Sequence, residues 1–129
     1  MVVSTTQSNA KGQLVAWDDI DDFVVTPDPT TAGLARIAGV ALNAVTKGQY
    51  GWIQVSGLAT CKCKAAVTTT TDGTVAIAVS DTTINVDSLA DATATTNLQL
   101  KAYVGNFAEA PANGALKLVQ LTELSERGA

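Results

Sequence analysis

The apolar positions of this chain fall in short bursts, and the clearest of them has a period of two. From Leu58 to Thr68, Ala59, Cys61, Cys63, Ala65 and Val67 share one face, and Thr60, Lys62, Lys64, Ala66 and Thr68 share the other. Side chains alternate across a strand, so this spacing predicts a β-strand with small apolar groups inward and polar groups mostly outward. The stretch TTTTDGT then predicts a turn, with Asp72-Gly73 supplying the positive-φ residues a hairpin prefers. Val75, Ile77 and Val79 line one face of the returning strand. Leu98, Leu100, Ala102 and Val104, alternating with Gln99, Lys101 and Tyr103, predict another strand. Thr82 to Leu89 and Ala115 to Thr122 read as two more.

The first half of the chain is less regular. Leu14 to Trp17 and Phe23 to Val25 are short apolar runs separated by the acidic knot DDIDD, and TPDPTTAG closes that segment as a loop. Leu34 to Val45 mixes helix formers with Gly39, which would cost about 1 kcal/mol in a helix interior; it reads as a strand with a bend at Asn43. Tyr50 to Val55 is bounded by Gly48 and Gly57, as a strand should be. Residues 1–13 are polar and without period and read as a flexible N-terminal arm. Residues 14–123 then form a single β domain, and 124–129 a frayed C-terminus. Roughly seven or eight short strands with turn signals and no convincing amphipathic helix predict an all-β fold, a small barrel or a sandwich.

Composition sharpens this. Apolar residues make up 47% of the 129, but aromatics only 5%, so the core is built from Ala, Val and other small groups. A core so lean would gain from oligomerisation. The net charge is −4, and Lys62 and Lys64 are the closest basic pair; a duplex-binding protein needs a phosphate-neutralising patch, so nucleic acid is not an expected partner. The N-terminus has neither the basic region nor the apolar core of a signal peptide, and no window approaches the roughly 20 apolar residues of a membrane helix. The expectation is a soluble protein made in the cytoplasm, with no membrane partner. Cys61 and Cys63, two apart on a strand, have poor disulfide geometry and read as small buried thiols.

Candidate chemistry is sparse. There is no histidine, which removes Ser-His-Asp and Cys-His arrangements and the commonest general base at neutral pH. The acids cluster in the knot or scatter over turns, a poor basis for the paired carboxylates of a glycosidase. Asp18, Asp19, Asp21 and Asp22 could offer oxygen ligands to calcium, but they lack the EF-hand spacing and glycine; a solvated turn is the better reading. No phosphate-binding glycine motif is present. The expectations are therefore no catalytic residues, no cofactor and no metal, in a binding or structural module.

Two segments carry a resemblance. RIAGVALNAVTKGQYGWIQVSGLATCKCKAAV, from Arg36 to Val67, and YVGNFAEAPANGALKLVQL, from Tyr103 to Leu121, resemble the glycine-bracketed strands of tailed-bacteriophage capsid decoration, or cement, proteins. The chain departs from that class in having NFAEA where ALEA is usual, and in its long acidic N-terminal stretch. The resemblance implies a small β-barrel or β-tulip-like body with an extended N-terminal arm. It implies a place on the outer capsid surface of the virion, and a role in clamping neighbouring major capsid protein subunits. It also implies self-association as a homotrimer, and an arm that can add a strand to the shell.

On that reading the candidate capsid or inter-subunit contacts are Leu14 and Trp17, beside the arm, and Tyr50 and Trp52. The latter two lie on one strand face with Gly51 between them. They either anchor an interface or fill the barrel's only large core space; the spacing alone leaves both open. Two other functions fit an all-β module of this kind: a different virion part, such as a head fibre, tail component or receptor-binding domain, and a carbohydrate-binding sandwich using Tyr50 and Trp52 as its platform.

Overall fold

A computed structural model describes residues 1–19, 21–28, 37–67, 73, 75–81, 83–88 and 103–122. The fold is all-β. Its described strands are β1 (Val2–Thr5), β2 (Leu14–Asp19), β3 (Val24–Thr26), β4 (Ile37–Ala41), β5 (Tyr50–Gln54), β6 (Gly57–Lys62), β7 (Val75–Asp81), β8 (Thr83–Ser88), β9 (Tyr103–Phe107) and β10 (Leu116–Leu121). Strands β1-β3-β2-β4-β5 close into a small barrel, and β6-β10-β9-β7-β8 form a second sheet packed beside it.

Two cores explain the apolar bursts. Val3, Val15, Trp17, Val25, Ala38 and Ile53 fill the barrel. Leu14, Ala16, Ile37 and Val40 point the other way, onto Ala59, Cys61, Cys63, Ala76, Ala78, Ile84, Val86, Val104 and Val119 of the second sheet. Strands β2 and β4 are thus covered on both faces, which is why LVAW and IAGVA are continuous apolar runs rather than alternating ones. The layer between barrel and sheet is rich in Ala, Val and Cys, so it is filled without large aromatics.

The flexible arm does not survive this description. Val2–Thr5 is a barrel strand, antiparallel to β5 with Val2 opposite Trp52 and Ser4 opposite Tyr50, and parallel to β3. The terminal amine donates to the Ile53 carbonyl at 3.1 Å, and Ile53 N–H returns a bond to the Met1 carbonyl at 2.8 Å. Val3 and Thr5 are buried while Val2 and Ser4 face outward. The alternation is there in VVST, but it is four residues long and half hydroxylic, and only the two neighbouring strands give it a core side.

The expected hairpin across Asp72-Gly73 is also corrected. Gly73 has φ of 78°, as a turn requires, and Asp72 lies outside the described residues. Yet β6 pairs with β10 along its whole length, and β7 pairs with β8 and β9. Ala76 and Ala78 enter the core, while Val75, Ile77 and Val79 line the other face, Ile77 buried and the two valines half-buried. A bulge between Ala76 and Ile77 helps to set this register. The inward face of the strand after Gly57 holds at Ala59, Cys61 and Cys63, with Val67 packed against the same core, but Ala65 is exposed. Residues 98–102 and 124–129 lie outside the described residues.

Candidate docking surface

Both ends of the second sheet are covered. On the outer edge of β6, Lys62 N–H donates to the Gly12 carbonyl at 2.7 Å, and the Leu58 carbonyl accepts from Gln54 Nε2 at 2.7 Å. On the outer edge of β8, Ile84 N–H donates to the Pro27 carbonyl, and Lys64 N–H to the Val86 carbonyl. A parallel bridge between Cys63 and Val86 draws the two edges together. The barrel, being closed, presents no edge. Strand addition at these edges is therefore disfavoured.

One face stands out. Tyr50 is 75% exposed and Trp52 57% exposed, both on the outer side of β5. Val2 lies directly opposite Trp52 on β1, and Leu42 N–H donates to the Trp52 carbonyl at 3.1 Å from the β4 side. Val2 and Leu42 are also exposed, so a row runs from Val2 on β1 through Trp52 on β5 to Leu42 just past the end of β4, with Tyr50 next along β5. Beneath it Gly51 points into the barrel against Val45, which leaves no room for a side chain there. The aromatics thus stand on a backbone held from below. Large, stiff side chains on a rigid sheet lose little conformational entropy on binding, which suits an anchor. A smaller apolar group, Leu58, Leu116 and Leu118, lies on the outer face of β6 and β10.

The four sequence candidates divide in two. Tyr50 and Trp52 are not the barrel's filling; that place is taken by Trp17. Leu14 (0% exposed) and Trp17 (1%) are buried, and neither can meet a partner in this fold. Trp17 packs edge-on against Phe23, with ring centroids 6.3 Å apart and planes at 66°, and its indole N–H has no partner among the described residues. Val2 and Leu42 were missed because nothing in a four-residue strand and a bend shows that both flank Trp52.

Asp19 Oδ1 accepts the amides of Asp21 at 3.1 Å and Asp22 at 3.3 Å, so the acidic knot is a hydrogen-bonded, exposed turn. Cys61 and Cys63 are free, buried thiols. Burial, and then the neighbouring Cys63, push the Cys61 thiol up to about 12. Burial likewise raises Cys63, against the opposing pull of the Ala112 amide. Neither is a ready thiolate nucleophile.

No protein-family model matches the chain, and no curated protein is significantly similar to it.

Proposed function

We propose that this chain is a structural virion protein that decorates the outside of an icosahedral phage capsid and stabilises it by bridging neighbouring major capsid subunits, as a homotrimer. The observation that carries the docking part of this reading is the exposed Val2, Trp52, Leu42 and Tyr50 face on a closed barrel. The phage assignment rests on the resemblance of Arg36 to Val67 and Tyr103 to Leu121 to decoration proteins. With residues 2–5 built into the barrel, the arm is no longer the means of attachment; a rigid aromatic face takes its place.

A second reading draws on the same face. Tyr50 and Trp52, two apart and outward, also make the kind of aromatic platform on which a sugar ring stacks. One pair of measurements separates the two. Quantitative mass spectrometry of particles purified from cells that make this chain should find close to one copy per major capsid subunit. A handful of copies per particle would rule out a coat and point to a fibre or tail part. Absence from particles, together with a tryptophan fluorescence change on adding soluble sugars, would favour the carbohydrate-binding module.

A further inference from the structure

A pocket of about 470 Å³ lies where the loop before β2, the end of β6, the start of β8 and the turn before β10 meet. Gln13, Lys62, Cys63, Thr83, Asn85 and Gly114 are among its walls. Its hydrogen bonds run in one direction. Ala10 N–H donates to Gln13 Oε1 at 2.9 Å, so the other end of that amide is Nε2, which donates to Thr83 Oγ1 at 3.2 Å. The Thr83 hydroxyl proton then goes to Asn85 Oδ1 at 3.4 Å. This relay fixes the Asn85 amide so that Nδ2 is left as a donor, and no described residue accepts from it. Asn85 is otherwise only 5% exposed, so the pocket is where that donor can be met.

Lys62 lines the same wall, half-buried and in no ion pair with a described residue. Gly114 presents bare backbone, with open space where a Cβ would lie. Among the described residues, the polar side chains of the wall thus offer donors while their own acceptors are largely engaged. Such a wall selects a guest rich in acceptors. Charge limits the choice further. Asp87 follows Asn85 on the same side of β8 and acts on Cys63 through its field, which disfavours a dianion.

We infer that this pocket binds a small monocarboxylate, whose oxygens take the Lys62 ammonium and Asn85 Nδ2 hydrogens. This site is independent of the docking face and of the virion reading.

The test is a ¹⁵N–¹H correlation titration of the full chain with sodium acetate, sodium lactate and inorganic phosphate, at ionic strength held constant with sodium chloride. Acetate or lactate should give saturable shifts at the Asn85 side-chain amide and the backbone amides of 62, 83 and 85. A dissociation constant on the order of 1 mM is expected for so small a guest. Lys62→Gln should weaken binding roughly tenfold with its spectrum otherwise intact, since a charge-assisted bond is lost. Shifts that stay linear, a Lys62→Gln affinity equal to that of the parent, or phosphate binding as tightly as acetate would each overturn the assignment. Should Lys62→Gln fail to fold, the map of shifts on the unaltered chain decides: absence of the Asn85 side-chain amide from it is sufficient to reject the site.

Discussion

Val45 stands directly over Gly51: a Cβ built on Gly51 would overlap the Val45 Cγ2 methyl. The segment that carries Val45 is itself tied down, by paired hydrogen bonds of 3.0 Å between the backbones of Val45 and Asn9. The glycine between the two exposed aromatics is therefore a packing requirement of the barrel, and it sets where Tyr50 and Trp52 stand.

Gly51→Ala should destabilise the protein by about 1–3 kcal/mol, the usual cost of forcing a methyl into a packed site. Val45→Ala in the same chain should recover part of that loss, because it removes the overlapping methyl. Urea midpoints of the two single variants and the double variant measure the coupling. Simple additivity would mean that Val45 is not the group in the way.

Gly105 is less forgiving. It has φ of 157°, and a Cβ there would run into the Gln120 backbone carbonyl of the paired strand β10. A carbonyl in a ladder cannot rotate aside as a side chain can. Gly105→Ala should cost on the order of 3 kcal/mol or more, from strain and overlap together. Thermal unfolding of the soluble fraction checks this; a melting temperature within a degree or two of the parent would contradict the close approach.

The two tryptophans should behave oppositely. Trp17→Ala empties the barrel and should lose about 3–5 kcal/mol. Trp52→Ala removes an exposed ring and should change stability by no more than about 0.5 kcal/mol. On the proposed docking role, Trp52→Ala and Tyr50→Ala should each weaken attachment to the particle while the isolated protein keeps its melting temperature. Co-sedimentation of the variants with stripped particles, alongside their unfolding curves, reads both properties at once.

The buried thiols predict a pH dependence with a definite sign. Cys61 ionises near 9 when unfolded and near 12 in the fold. Its contribution to stability is therefore complete below pH 9 and is lost as pH rises from there towards 12, because only the unfolded chain sheds the proton. At pH 10 the loss from Cys61 alone should be about 1 kcal/mol, and Cys63, also raised, acts in the same direction. Urea unfolding at pH 7 and pH 10 should show the drop in the parent chain, and a smaller one in Cys61→Ala. Equal drops in both would show that other groups carry the alkaline sensitivity.

Local pattern decided a good deal about this protein. Period-two spacing and short apolar runs mark β4, β5, β6, β8 and β10 close to where they lie, and place Ala59, Cys61 and Cys63 on one inward face. These features survive because alternation is a property of the strand itself, whatever it pairs with. The aspartate-rich turn was equally legible, since its hydrogen bonds close within four residues.

Pairing and exposure were decided only in three dimensions. Nothing near Leu58 reveals that β6 lies beside β10, about sixty residues on, rather than beside the strand after Gly73. VVST became a strand because β3 and β5 meet it on either side. Trp17 and Trp52 each occupy strands among apolar neighbours, yet one is sealed and the other faces solvent. Alternation says which residues share a face; whether that face is covered depends on a partner from far along the chain. The second sheet packs over β2 and β4, closing the strand that carries Trp17 from both sides, and leaves the outer side of β5, with Trp52, uncovered.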